Sequence, residues 1–424
     1  MIRPAPVTTP RAISGRWHGA GGPAGPRART ALAVLWLFAI GSLAFADADL
    51  VPPPPEVEAA SAILVQAQSG AVLYEKDAFA ARPPASLTKM VTALVVVDRC
   101  RLDAVATVSA NAAAAEGSTL GLHEGERLTV GELLKGLLLP SGNDAACCLA
   151  EHVGRSEAAF VELMNAKAAG LGAVNTHFVN ASGLTAEGHY SCARDLAVFA
   201  MAVRRHPYLS QIIGLTAAEV KWCAGRTKAV DNLNRLLARC EGCDGVKTGF
   251  TTPAGRCLAA SARRDGYSLV SVVLRSPDSW GESGALLNWG FRQPPVAVVE
   301  IPAKTADPAT RLAAPVVHDR LYVPVSEFTK ALGGAEEERD GKVRVTVGGQ
   351  EMTCSVADGW QIGGTKRDLS APPVTWCGQV AAPAADLCRW LGLELAFDKA
   401  TLTATVGPVP TTTLTTPPAT PENR

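Results

Sequence analysis

Apolar and polar positions alternate where the patterned part of the chain begins. Ala62-Ile-Leu-Val, a break at Ser69-Gly70 and Ala71-Val-Leu-Tyr predict a β-hairpin between Ser61 and Tyr74. Pro83 and Pro84 then interrupt the pattern, and the apolar run Met90 to Val97 predicts a buried helix opened by Ser86-Leu87-Thr88-Lys89. Across 101–140 the chain reads as short strands and an amphipathic helix, with apolar residues at helical spacing from Leu128 to Leu139 and a stop at Pro140. Further helices are predicted from Ser141-Gly142-Asn143-Asp144 to His152, from Glu157 to Leu171, and from Arg194 to Arg204. Leu258 to Ala262 and Tyr267 to Leu274 predict paired strands joined at Arg264-Asp265-Gly266, with Lys247-Thr248-Gly249 on a strand just before them. Strands paired at both ends with buried helices between them predict an α+β fold, an antiparallel sheet with helices packed on it.

The ends of the chain carry a different pattern. Arg27 and Arg29 precede an apolar run, Ala31 to Ile40, and Ala44-Phe45-Ala46 supplies a small-x-small cleavage site. This layout predicts a signal peptide over 1–46; the alternative is a short membrane anchor, and either places the remainder outside the cytoplasm. Residues 47–55, with four consecutive prolines, predict a stiff linker. Pro294-Pro295 and the stretch Pro302 to Pro315 predict a second linker over 294–315, which makes 56–293 the first domain. Beyond it lies an internal repeat. Leu321-Tyr-Val-Pro-Val-Ser-Glu-Phe leads through Leu332-Gly to the strand at Val343, and Val380-Ala-Ala-Pro-Ala-Ala-Asp-Leu leads through Leu391-Gly to the strand at Leu402. Each copy reads as strand, Pro-started helix, Leu-Gly stop and strands, so 316–407 is expected to be a small α+β domain. The Thr/Pro-rich tail 408–424 is expected to be disordered.

Composition narrows the function classes. The 424 residues suit two or three domains, and 47% hydrophobic residues suffice for sizeable cores. Forty basic residues balance forty acidic ones, so no global charge draws the chain to nucleic acid or an anionic membrane. The eleven cysteines all follow Ala46, and an odd number cannot be fully paired. Cys240-x-x-Cys243 is half a zinc motif without a second half, and most cysteines read as small buried apolar residues. No metal site is expected.

The chemistry begins at Ser86-x-x-Lys89. Residues three apart share a helix face, so the lysine amine can reach the serine hydroxyl. It can serve as base only if burial or a second cation pulls its pKa down. Ser141-x-Asn143 taken alone reads as a helix N-cap. Lys247-Thr248-Gly249 on a strand would offer an ammonium and a hydroxyl to a carboxylate, with Gly249 leaving room for a substrate backbone. His177 and His189, in loop-like surroundings, read as framework residues. Each signal is weak by itself; the three in this order are specific.

The ordered triplet sits in Pro84-Ala-Ser-Leu-Thr-Lys-Met, Leu139-Pro-Ser-Gly-Asn-Asp-Ala and Asp244-Gly-Val-Lys-Thr-Gly-Phe-Thr, alongside Asn175-Thr-His-Phe-Val-Asn. Over residues 56–293 the chain resembles the D-alanyl-D-alanine carboxypeptidases, the low-molecular-mass penicillin-binding proteins. The resemblance implies a β-lactamase/DD-peptidase-like catalytic domain that needs no cofactor. Its substrate would be the peptidoglycan stem pentapeptide ending in D-Ala-D-Ala, with β-lactam antibiotics as covalent inhibitors. Ser86 would be the nucleophile, Lys89 the base, Ser141 the proton relay and Asn143 the clamp on Lys89. Lys247 and Thr248 would hold the terminal carboxylate, and the amides of Ser86 and Phe250 would form the oxyanion hole. A D,D-endopeptidase, a β-lactamase and a non-catalytic wall-binding protein are the alternatives. Glu162-Leu-Met-Asn165 is spaced one residue short of the glutamate site that deacylates β-lactams in class A enzymes, so it reads as packing and penicillin should be released slowly. The repeat domain resembles the copper amine oxidase N-terminal-like domain. No copper is expected there, since His318 is isolated, and its expected role is spacing or contact with the wall.

Overall fold

The computed structural model describes residues 53–301, 310–339, 342–347, 350–355, 359–362, 365–367, 369–376 and 379–408. The predicted signal peptide, residues 47–52 of the first linker and all but the first residue of the predicted tail lie outside the described residues. All described residues fall within one contact unit, Asp49–Arg424.

Five strands build the first sheet: β1 (Ser61–Gln66), β2 (Val72–Lys76), β3 (Cys243–Thr251), β4 (Gly255–Arg264) and β5 (Tyr267–Ser276). Their order is β2-β1-β5-β4-β3, antiparallel throughout, so the amino-terminal hairpin pairs with strands two hundred residues downstream. All six residues of β1 are buried because both faces of the sheet are covered. Ile63 and Val65 join the core under the main helices, whereas Ala62 and Leu64 join a second core with Leu286 and Leu287. Alternate side chains of a strand point to opposite faces, so one alternating run feeds two cores. The predicted hairpin at 264–266 is present, with Asp265 at φ 47° and Gly266 at φ 82°, the left-handed pair that a tight two-residue turn requires.

The main helical layer comprises α1 (Lys89–Arg99), α2 (Val130–Leu138), α3 (Asn143–Gly154), α4 (Glu157–Gly170), α5 (Ala193–Arg205) and α6 (Pro207–Ile213). α7 (Ser279–Gly290) covers the opposite face. α1 is buried at every position from Lys89 to Val96 and packs against α2, α3, α4 and α5, so it is the axis of the layer. An all-round apolar helix has no other stable place. The short strands Val105–Thr107 and Arg127–Thr129 pair as the pattern of 101–140 suggested.

Of the stretch expected as a linker over 294–315, residues 296–301 and 310–315 are strand. Val296–Ile301 and Thr310–Val317 pair antiparallel in register from Val296↔Pro315 to Ile301↔Thr310, and both belong to a seven-stranded sheet. The prolines misled because Pro315 stands opposite Val296 at the end of the ladder. Ala297, Val299, Leu312 and Ala314 lie in the C-terminal core. The repeat takes the expected form: strand Arg320–Pro324 and helix Val325–Ala331, then strand Gln379–Pro383 and helix Ala384–Trp390. Pro324 and Pro383 cap their helices at near-identical angles, φ −57° and −55°, and Gly333 and Gly392 follow the helices with positive φ. The two opening strands pair with each other around Val323↔Ala382. The C-terminal sheet is tied to the first sheet and its hairpin turn through Val296, whose N–H donates to Gln66 Oε1 (2.7 Å) and whose carbonyl accepts from Ser69 Oγ (2.8 Å).

Candidate active site

The turn Ala85–Thr88 is a single 3-10 turn leading directly into α1, and Ala85 holds φ 47°. It leaves Ser86 partly exposed while Leu87, Thr88 and Lys89 are buried. His189 braces the turn. Val179 N–H donates to its Nδ1 (3.1 Å), which leaves the proton on Nε2 to be donated to Thr88 Oγ1 (2.9 Å). Burial pushes the His189 pKa down to about 4, so the ring is a neutral framework group, as its loop position suggested.

Lys89 is fully buried, and its Nζ meets three oxygens: Ser86 Oγ at 2.9 Å, Asn143 Oδ1 at 2.7 Å and the Ser182 carbonyl at 2.6 Å. Asn143 is itself clamped, donating through Nδ2 to the Glu116 carbonyl (2.6 Å) and through its backbone to the Ser118 carbonyl (2.7 Å). The neighbouring Asp144 carboxylate accepts N–H groups from Leu120, Gly121, Leu122 and Ala145 at 2.8–3.0 Å. It thereby fastens the loop before α2 to the start of α3. Gly142 is the N-cap of α3, with no side-chain cap bond, so neither Ser141 nor Asn143 serves as a cap. Ser141 adopts φ 66°, is 3% exposed, and its Oγ has no hydrogen-bond partner among the described residues.

β3 is the edge strand of its sheet and packs against the Ser86 turn. Its start is anchored by Asp244, paired with Arg204 (2.8 Å) and accepting from Ser261 Oγ, and by Asn234 Nδ2 donating to the Gly245 carbonyl (2.9 Å). Lys247 is 1% exposed, and its Nζ donates to the Thr248 carbonyl at 2.9 Å. Thr248 is partly exposed. A Cβ on Gly249 would meet Ser86 N at 3.1 Å, Ala85 Cβ at 3.2 Å and Pro84 O at 3.2 Å. The glycine therefore makes room for the serine's own turn. Phe250 is the exposed residue of the group, 66% accessible, and stands with the partly exposed Thr251, whose Oγ1 bonds Thr185 Oγ1 (2.9 Å).

Electrostatics favour a neutral base. Burial lowers the Lys89 pKa well below that of a free lysine, the nearby Lys247 ammonium lowers it further, and Asp144 opposes both. Burial alone brings Lys247 down to about 7. Burial and the charge of Lys247 thus act in the same direction on Lys89, toward the neutral amine.

Sequence reading missed the Ser182 carbonyl, since every residue has one and side-chain motifs do not mark it. The nearest signal was Gly183, at φ 85°, where a Cβ would sit 2.0 Å from the Ala85 carbonyl. The cysteines near the motifs, Cys147, Cys148 and Cys257, are buried. Burial, first among the causes, raises the thiols of Cys147 and Cys148 to about 12 and that of Cys257 to about 11. All ten described cysteines are free. Glu162 is exposed, and Asn165 bonds Phe178 in both directions (2.8 and 3.0 Å), the packing role expected of that helix. Among the described residues there is no cluster able to hold a metal ion, and no helix is long and apolar enough to cross a membrane.

A serine on a turn, a desolvated lysine amine within hydrogen-bond reach and an edge strand beside them form the arrangement of a serine hydrolase. The profile of the S11 peptidases, described as D-alanyl-D-alanine carboxypeptidase, matches residues 48–278. The chain is 38% identical over 221 residues to the D-alanyl-D-alanine carboxypeptidase DacF of Bacillus subtilis, covering 51% of this chain and 57% of that relative. It is 37% identical over 267 residues to DacB2 of Mycobacterium tuberculosis, covering 60% of this chain and 91% of the relative. The crystal structure of the Streptomyces K15 DD-transpeptidase superposes with a TM-score of 0.54 at 31% identity, over 57% of this chain and 99% of that one. The chain belongs to the D-alanyl-D-alanine carboxypeptidase family, serine hydrolases that act through an acyl-enzyme and bind penicillin.

Proposed function

We propose that this chain removes the terminal D-alanine from peptidoglycan stem pentapeptides on the outer side of the cytoplasmic membrane, with the residues above in the following roles. The carrying observation is the environment of Lys89 Nζ. A neutral amine has two N–H donors and one lone pair. The two short contacts, to Asn143 Oδ1 and the Ser182 carbonyl, are to acceptors only, so they take both donors. The lone pair is left for the Ser86 hydroxyl at 2.9 Å, the arrangement a general base needs.

Ser86 Oγ attacks the carbonyl carbon between the two D-alanines while its proton passes to Lys89 Nζ. The amide N–H of Ser86 and one from the strand at Phe250 stabilise the oxyanion. As the tetrahedral adduct collapses, the C–N bond breaks. The proton on Lys89 reaches the leaving amine through Ser141 Oγ, whose lack of a fixed partner suits a relay. Water then cleaves the ester, giving its proton to Lys89 and returning Ser86 to its hydroxyl form. Lys247 and Thr248 hold the terminal carboxylate, and the unpaired edge of β3 accepts the peptide as an added strand. The exposed position of Glu162 supports slow release of penicillin and hence an inhibited enzyme. The C-terminal repeat domain serves as a spacer or wall contact, tested by co-sedimentation of the penicillin-blocked chain with purified wall.

Labelling with a fluorescent penicillin, followed by mass mapping, is expected to place the adduct on Ser86 and to fail in Ser86→Ala. Release of free D-alanine from a pentapeptide, with cross-linked dimers left intact, separates the carboxypeptidase from an endopeptidase. Covalent capture by Ser86→Ala overturns the assignment.

A further inference from the structure

A cleft of about 630 Å³ opens beside the β4–β5 turn, bordered by the segment 290–295 that leads into the C-terminal sheet. It is remote from the motifs. Cys243 pairs with Ala262 beside it, whereas Lys247 pairs with Ala259, about 13 Å further along β3 at roughly 3.3 Å per residue. Its volume falls in the range of small-molecule sites, roughly 300–1,000 Å³.

The lining has unmet bonding capacity of three kinds. Gln66 is 2% exposed and spends Oε1 on Val296 N–H, so its Nε2 is a buried donor with no partner among the described residues. Gln293 donates through Nε2 to the Trp289 carbonyl (3.2 Å), and its buried Oε1 has no acceptor role filled. The guanidiniums of Arg263 and Arg292 border the same cleft, exposed, with no ion pair or side-chain hydrogen bond to any described residue. Arg264 is engaged instead, donating to Asn288 Oδ1 (2.7 Å) and lying over the Phe291 ring at 4.5 Å. Three guanidiniums face two carboxylates, Asp265 and Glu241, and Glu241 makes only a long 3.9 Å pair with Arg264. The lining also includes the partly buried Tyr267, whose ring packs on the C-terminal core.

A buried amide left unpaired costs free energy, so a pair of such groups in one cleft marks a place where a ligand supplies the partners. The unmet donor and acceptor fit hydroxyl and acetamido groups, and two open guanidiniums fit a carboxylate. We propose that this cleft is a second, non-catalytic binding site for a carboxylate-bearing saccharide of one or two sugar units. The site is independent of the acyl-enzyme chemistry, so it stands or falls apart from it.

The test is calorimetric titration of the full chain, first acylated on Ser86 with penicillin, with N-acetylmuramic acid as probe. Neutral N-acetylglucosamine and glucose 6-phosphate are the comparison ligands. One-to-one binding of N-acetylmuramic acid is expected, about tenfold or more tighter than the neutral sugar, as for loss of a charge-assisted bond. The double variant Arg263→Gln/Arg292→Gln should lose that advantage while releasing D-alanine at the normal rate before acylation. Equal binding of the two N-acetyl sugars, undiminished binding by the double variant, or no saturation by about 10 mM overturns the proposal. Tighter binding of glucose 6-phosphate overturns the choice of carboxylate over phosphate.

Discussion

Ser141→Ala should make the protein more stable and less active. The Ser141 hydroxyl is buried, at 3% residue exposure, and has no hydrogen-bond partner among the described residues. A buried hydroxyl without a partner costs about 1–3 kcal/mol, while removing one oxygen creates only a small void. Alanine keeps the Cβ and accepts φ 66° as well as serine does, so no new backbone cost arises. Allowing for partial hydration of the wild-type hydroxyl, the gain should be about 1 kcal/mol. In a catalytic domain of this size that corresponds to a rise of about 2–4 °C in Tm. The relay for the leaving amine is lost together with the cost, and proton transfer by a positioned group contributes roughly 10²–10⁴-fold. The assays are thermal unfolding by circular dichroism and D-alanine release from a stem pentapeptide, measured on the same preparation. A fall in Tm of 2 °C or more would show that the hydroxyl is bonded in the native state, and wild-type kcat would remove Ser141 from the mechanism.

Gly249→Ala places a Cβ 3.1–3.2 Å from three atoms of the Ser86 turn, two of them backbone, so the turn must shift by a few tenths of an ångström. Because Ser86 N–H is an oxyanion donor, kcat should fall about 10²-fold with much less change in KM; unchanged kcat refutes the contact. The pH profile of kcat/KM should be bell-shaped. Lys89 must be neutral, so activity falls as acid protonates it; Lys247 must be charged to hold the carboxylate, so activity falls above its free-enzyme pKa of about 7. Lys247→Arg should abolish the basic limb, and a profile flat from pH 6 to 9 contradicts the role given to Lys247. Iodoacetamide at neutral pH should alkylate the exposed Cys223 and spare Cys147, Cys148 and Cys257, whose thiols burial holds at about 11–12, leaving D-alanine release intact. Mass mapping that finds those three modified, with activity lost, refutes their inertness.

Local pattern and tertiary placement contributed differently to this site. The Ser86–Lys89 contact follows from helical spacing, and the hairpin at 264–266 from its Asp-Gly pair, so both were legible residue by residue. The repeat was legible for the same reason, since Pro and Leu-Gly bracket each helix locally. The strands at 296–301 and 310–317 were not, because their proline-rich flanks outweigh a pairing that only the sheet supplies. The fit of Gly249 against the serine turn was equally hidden, since it joins residues far apart in the chain.

By itself the sequence determined which side chains could do chemistry and which segments could be helix or strand, because periodicity, turn residues and motif order are short-range properties. Only the tertiary structure decided what state those side chains are in. Burial and the approach of Lys247 lower the pKa of Lys89, and the Ser182 carbonyl takes one of its two donors. Both effects depend on desolvation and on distances between residues far apart in the chain, which local sequence does not encode.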